Sequence, residues 1–186
     1  TKTKMETLPK KRDLPKIADL YSDKEMVIKE TELAILLNAE PWEGWIKEHP
    51  MNKKLKYIPI EIIEYLLTRI FGQWKVEIKE SKVMANSVVV TVRLFYKNPL
   101  TNEYEWQDGI GAMPIQTKAG ATAMDVENTL KDAVMKAAPA AESYAIKDAA
   151  EKLGKLFGKD LNRRDAINYE SLVKVNDDRY SKLDEQ

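Results

Sequence analysis

The chain has 186 residues, 44% of them hydrophobic, which suffices for one soluble domain with a sizeable core. It has no cysteine, which excludes disulfide frameworks, thiolate zinc sites, iron–sulfur clusters and cysteine nucleophiles, and its single histidine, His49, is too few for a His-rich metal centre. The net charge is zero, with 30 basic and 30 acidic residues, so a polyanionic partner must be argued from local charge clusters.

No stretch approaches the roughly eighteen consecutive apolar residues of a membrane span. The first residues, TKTKMETLPKKRDLPKI, lack the apolar segment of a secretory signal. We therefore expect a cytoplasmic protein that has no membrane partner.

The N-terminal part divides into an arm and a helical region. Residues 1–22 are polar and mainly basic, contain two prolines and show no sustained period, which predicts a flexible arm. Residues 23–50 begin with a helical pattern and continue into PWEGWI, where Trp42 and Trp45 share a face. We expect both tryptophans, like Trp74 and Trp106, to belong to the core rather than to stack on bases.

The helix from Pro59 to Phe71 is the best-marked element. Pro59 suits the first helical position and Gly72 suits the C-terminal cap. Between them apolar residues recur at helical spacing: Ile62, Ile63, Leu66, Leu67 and Ile70. Just before this helix, LKYI at 55–58 favours a short strand.

Three strand-like runs follow the helix, because apolar and polar residues alternate over 74–79, 87–94 and 103–107. The KNPLTN segment between the last two is typical of a hairpin loop. The pattern predicts a three-stranded antiparallel meander that needs a cover on one face.

An alanine-rich stretch, 124–158, supplies that cover. Pro139 is expected to divide it into two helical segments, with Ser143 as the N-cap of the second. The second segment has an apolar stripe: Ile146, Ala149, Ala150, Leu153 and Phe157. The predicted fold class is therefore α+β, a β-β-β-α core with an N-terminal helical region. One domain spans 23–162, and 163–186 forms a polar, net acidic tail or helix.

The glycines argue against a nucleotide cofactor. The closest approach to a phosphate-binding loop, GKLFGKD at 154–160, is one residue short and ends in an acid. The DGIGAM run at 108–113 lacks the third glycine of a dinucleotide fingerprint. His49 has no obvious orienting partner, so an exposed loop histidine is favoured over a general base. We expect no cofactor, no metal and no enzymatic activity.

Two basic clusters remain as candidate phosphate contacts. The first surrounds a predicted turn and strand: Lys47, Lys53, Lys54 and Lys56. The second would form a row along one side of the last helix, continued by an arginine: Lys152, Lys155, Lys159 and Arg163. Because lysine stripes also serve solubility, each cluster alone is a weak indication.

Three segments together resemble the Rad-fifty-two family of single-strand annealing proteins, which includes phage recombinases. They are the YIP-x-x-x-I-x-x-L-x-x-x-x-FG-x-W pattern at 57–74, the meander that ends in DGIGAM, and AIKDAAEKLGKLFGKDLN at 145–162. The resemblance covers roughly residues 30–165, and the last segment is its most specific element.

The resemblance implies ATP-independent binding and annealing of single-stranded DNA in recombination and repair. It also implies a ring or helical homo-oligomer with a basic groove, and a single-strand binding protein as a possible further partner. The family's groove arginine corresponds to Lys47, and two basic residues of its helix correspond to Lys152 and Lys155. Glu151 replaces a third family lysine, a departure that bears on how tightly the groove binds. The compartment would be the bacterial host cytoplasm for a phage protein and the nucleus for a eukaryotic one.

Two other functions stay open at this point. A single-stranded nucleic-acid-binding or RNA-chaperone module of another family would share the basic clusters but would not pair strands. A small α+β enzyme or scaffolding protein would carry the same lysines only for solubility. A large assembly in solution would separate the annealing protein from this last alternative.

Overall fold

The computed structural model describes residues 23–49, 52–122 and 124–163, so the predicted arm (1–22) and nearly all of the predicted tail lie outside the described residues. The fold is α+β, as predicted. The helices are α1 (Lys24–Leu37), α2 (Ile60–Phe71) and α3 (Ala133–Glu151). The strands are β1 (Lys47–His49), β2 (Asn52–Tyr57), β3 (Trp74–Met84), β4 (Ser87–Lys97) and β5 (Tyr104–Pro114). Short 3-10 turns span Glu43–Trp45, Val126–Asn128 and Lys155–Phe157.

The predicted meander is present, and its strands are longer than the sequence pattern indicated. The sheet order is β3-β4-β5, all antiparallel, while β1 and β2 form a separate hairpin. Burial alternates strictly along β4, whose inward side chains form the centre of the core: Val88, Val90, Val92, Leu94 and Tyr96. This period of two confirms the reading of the strand from its alternating valines.

Helix α3 covers the inner face of the sheet and lies unusually close to β5. A side chain at Gly109 would collide with backbone atoms of Ala145 and Ala149, and one at Gly111 with those of Ala141 and Ala145. These alanines are buried at intervals of four residues, so they form the helix stripe that faces the strand. The two glycines are therefore structural, because they let the backbones of strand and helix approach.

Two expectations about α3 are wrong. Pro139 does not divide the segment, because it lies inside one continuous helix. Ser143 is not an N-cap, since its hydroxyl donates to the Pro139 carbonyl one turn earlier, at 3.0 Å. The helix also ends at Glu151, and the chain then turns at Gly154, whose φ is +154°. Lysines beyond this point therefore cannot continue a row on the helix.

Helix α2 agrees with the sequence prediction, except that it begins one residue later, at Ile60. It runs to Phe71, with Pro59 at the N-cap and Gly72 at the C-cap with φ +69°, a conformation that favours glycine. Its apolar face packs into the core through Ile63, Leu66, Leu67 and Phe71. Helix α1, capped by the Asp23 side chain, contains no buried residue. The core thus lies between the sheet, α2 and α3.

Candidate nucleic-acid interface

An open groove of about 330 Å³ lies where the β1–β2 hairpin, the β5 edge and the second half of α3 meet. The hairpin contributes Tyr57 and His49, β5 contributes the backbone around Gly111, and α3 contributes a row of polar side chains. The groove therefore collects residues from positions that are about a hundred apart in the chain.

One side of α3 faces this groove. The lining residues Tyr144, Lys147, Asp148 and Glu151 are spaced three, four and seven apart, which is the spacing of one helical face. The Lys147 ammonium lies 4.2 Å from the Tyr144 ring centre and 4.8 Å from that of Tyr57. Burial lowers the pKa of Lys147, and the negative charges of Glu151 and Glu61 oppose this shift. The Lys147 ammonium thus contacts an aromatic ring of the hairpin and one of the helix.

The hairpin is held against the end of the domain by a side-chain amide. Asn162 donates to the Lys56 carbonyl and accepts from the Lys56 backbone N–H, both at 2.8 Å. Tyr57 pairs across the strands with Lys47, and its ring lies edge-on to His49 with centroids 6.3 Å apart. This anchoring brings the region of Arg163 to the same side of the molecule as the hairpin lysines.

Two carboxylates line the groove among these cations. Asp148 accepts from the Ile110 N–H at 3.1 Å and pairs with Lys152 at 3.3 Å. Glu151 is exposed as a whole residue, but desolvation of its carboxyl group in the groove and, after that, the negative charge of Asp148 raise its pKa to about 7. The positive charges of Lys147, Arg163 and Lys152 oppose this shift. Glu151 is therefore partly neutral at physiological pH.

The hairpin lysines lie where the sequence placed them, on one exposed element. Lys47 is in β1, and three others follow one another in β2: Lys53, Lys54 and Lys56. All four are exposed, and within the described ranges none of them forms an ion pair. These four ammonium groups are available for phosphate.

The second basic cluster is not the row that the sequence predicted. Lys155 is a buried residue whose side chain is 10% exposed and pairs with Glu40 at 3.2 Å, so its predicted place in an open groove is wrong. Lys152 donates to the Asp108 carbonyl as well as to Asp148. Lys159 is exposed in the turn after the 3-10 segment, and Arg163 pairs with Asp160 at 3.5 Å. The physical reason is the end of α3 at Glu151, which sends the later lysines in different directions.

Lys147 and Tyr144 were missed by reasoning from the sequence. The available signal was their spacing of three on α3, with Asp148 and Glu151 on the same face. The candidate binding face of the predicted second helix was instead assigned to its lysines after residue 151. Two tryptophans expected in the core are also exposed: Trp42 by 66% and Trp106 by 50%. Trp45 and Trp74 pack against the core, as expected.

Across the described ranges, no set of three or more acidic or histidine side chains is arranged to hold a metal ion. No helix in the same ranges combines the length and the apolarity that crossing a bilayer requires.

Comparison with known proteins adds no relative. A scan against protein-family models and a search of curated proteins both find no match for this chain.

Proposed function

We propose that this protein binds single-stranded DNA without sequence preference and anneals complementary strands without ATP, as a homo-oligomer. The observation that carries the proposal is an exposed hairpin whose four lysines have no ion pair among the described residues, beside a groove that contains Lys147 and two tyrosines. The resemblance to the Rad-fifty-two family supports the same function and, within it, a role in recombination and repair.

The chemistry of the groove suits a phosphate backbone better than a base sequence. Lysine is a flexible point charge that binds phosphate without the bidentate geometry of arginine, and the chain has 24 lysines and 6 arginines. Tyr57 and Tyr144 offer aromatic surface next to the Lys147 cation, and every base has a face that can stack. Such a surface retains a strand and leaves base edges free to pair.

Oligomerisation supplies the affinity that one subunit lacks. A few phosphate contacts per subunit bind weakly at physiological salt. If several subunits bind one strand, each later contact is intramolecular, and overall affinity rises through effective concentration. We therefore expect many subunits per particle in light scattering at micromolar concentration.

The direct test mixes two complementary labelled oligonucleotides with the protein, without ATP, and follows duplex formation over time. We expect pairing faster than in buffer, and single-strand affinity that falls steeply with salt. Binding without faster pairing would favour the nucleic-acid-binding module that does not anneal. No binding at low salt would overturn the proposal.

A matched pair of variants locates the site. Lys147→Met keeps an unbranched chain over Tyr57 and Tyr144 and removes the charge, so we expect affinity to fall several-fold. Lys136→Met removes an exposed lysine from the same helix outside the groove and should leave affinity within about twofold. Equal effects would show that the groove is not the binding surface.

A further inference from the structure

The outer face of the sheet, opposite α3, carries an exposed aromatic cluster. Pairing across the strands places Phe95 of β4 next to Trp106 of β5, and Lys97 next to Tyr104. Tyr104 is 52% exposed and Trp106 is 50% exposed, while the neighbouring inward residues of β4 are buried. The inward side chains of β4 are therefore buried, whereas the Trp106 and Tyr104 rings of β5 are exposed to solvent.

The rings are held in place by cations. The Arg93 guanidinium lies 3.9 Å from the Trp106 ring centre, and Asp108 fixes it through two hydrogen bonds of 2.7 and 2.8 Å. The Lys75 ammonium lies 5.0 Å from the Phe95 ring centre and 5.9 Å from that of Tyr104. A pre-ordered ring loses little conformational freedom when a planar ligand stacks on it.

Most acidic side chains on this face are paired with cations, and the lysines without an ion pair among the described residues lie beside the aromatic rings. Asp108 is neutralised by Arg93, and two acids of β3 pair with neighbouring lysines: Glu77 with Lys79 at 3.2 Å and Glu80 with Lys82 at 2.9 Å. Lys75 and Lys97, which flank the aromatic rings, have no ion pair among the described residues. An apolar protein partner would have to bury these two charges without compensation.

From this arrangement we infer that the outer face is a second surface for single-stranded nucleic acid, on which unstacked bases lie against Trp106 and Tyr104 while Lys75 and Lys97 contact phosphates. Aromatic rings on adjacent strands of an open sheet, flanked by cations, stack bases without reading their sequence. The inference rests on the proposed function, since it extends the path of the same bound nucleic-acid strand.

The outer face is continuous with the groove. Ile110 lines the groove and also lies on the outer side of β5, because it pairs with Thr91, two residues from Arg93. Trp106 is four residues earlier on that strand, about 13 Å away at the rise of an extended chain. A single nucleic-acid strand can therefore bind the hairpin lysines and continue over the edge of β5 onto the aromatic rings.

The first part of the test measures the affinity of the full chain for an oligothymidine as salt is varied. Trp106→Ala should weaken binding about fivefold or more at every salt concentration, because a stacked base contributes about 1–3 kcal/mol and releases no counterion. Trp106→Phe should recover most of the affinity. Lys75→Gln should instead reduce the slope of log affinity against log salt by about 0.7, the value for one phosphate of a single strand.

Trp42→Ala is the matched control, since Trp42 is also exposed and lies outside both surfaces. Its affinity should match that of the wild type. The proposal is overturned if Trp106→Ala binds like this control, or if Trp106→Phe is as weak as Trp106→Ala. It is equally overturned if Trp106→Ala changes the particle mass in light scattering in step with its binding, because the face would then join two copies of the chain.

The second part uses an oligonucleotide that carries 5-iodouracil, which forms photochemical crosslinks to aromatic side chains. Peptide mapping should find the crosslink at Trp106 or Tyr104. A crosslink only at Tyr57 or Tyr144 would remove the second surface and leave the proposed function intact. If the wild type neither binds nor crosslinks, the proposed function fails as well, so the two failures are distinguishable.

Discussion

The hairpin lysines and the lysines after α3 look equivalent in the sequence and differ in the folded chain. Those of the hairpin are exposed and unpaired within the described ranges, whereas Lys152 is held by Asp108 and Asp148, and Lys155 is buried against Glu40. The difference teaches that a cluster of like charges indicates binding only when the fold leaves those charges free. Five predictions test this contrast and the groove beside it, from the largest effect to the smallest.

Reversing three hairpin charges should cause the largest loss of binding. In the variant Lys47→Glu, Lys54→Glu, Lys56→Glu, we expect single-strand affinity to fall about 100-fold at low salt, since three phosphate contacts become repulsive. The salt slope should become shallower by about 2. Fluorescence anisotropy with a labelled oligonucleotide measures both quantities.

The control for this variant reverses three exposed lysines outside the groove: Lys24, Lys118 and Lys131. The change in net charge is identical, so a loss of equal size would mean that bulk charge, rather than the hairpin, determines binding.

Lys155 should affect folding rather than DNA binding. Lys155→Glu places a buried carboxylate near Glu40, and we expect it to lower the free energy of unfolding by about 3 kcal/mol. Lys155→Met fills the same space without a charge and should keep both stability and affinity close to the wild type. Urea unfolding and anisotropy check the two outcomes. If Lys155→Met loses as much affinity as the hairpin variant, Lys155 belongs to the binding surface after all.

Glu151 should make binding depend on pH. Its pKa of about 7 means that it takes up a proton between pH 8 and pH 6, so the groove loses a negative charge and affinity should rise several-fold. Glu151→Gln should bind more tightly than the wild type at pH 8 and about equally at pH 6. His49 lines the same groove in both proteins, so their difference isolates Glu151. A constant ratio between the two proteins across this range would contradict the prediction.

The same shift has a consequence for stability. The folded pKa lies above the ordinary value of 4.5, so the folded state binds more protons than the unfolded state between about pH 4.5 and 7. Wild-type stability should therefore fall relative to that of Glu151→Gln as pH rises through this window. Thermal unfolding at several pH values compares the two proteins.

Lys152 should give the smallest effect. Its ammonium already has two protein acceptors, so a phosphate must compete with them before it gains a contact. We expect Lys152→Met to weaken binding by less than about threefold. Lys47→Met, which removes an exposed ammonium that has no ion pair in the described part of the chain, should weaken it more. The reverse order would show that Lys152 releases its protein acceptors when DNA binds.

The core and its cover could be predicted because their signals are local. The strict alternation in β4 and the spacing of the apolar residues in α2 each predict a buried face from the residues alone, and the structure confirms both. The length of α3 could not be obtained in this way. A proline usually interrupts a helix, but α3 continues through Pro139 and is buried on both sides of it, at Ala137 and at Ala141, and this tertiary packing leaves no local signal.

The sequence by itself determined the α+β class, the meander, the helix α2 and the set of lysines from which a binding surface could be drawn. Only the tertiary structure decided that Lys152 and Lys155 are held by acceptors, that Lys147 lies in the groove with Tyr57, and that Trp106 faces solvent. The physical reason is the separation along the chain of the residues that interact. Periodicity reports which side of one element is buried, whereas the pairing of Lys155 with Glu40 and the anchoring of Lys56 by Asn162 join residues more than a hundred positions apart.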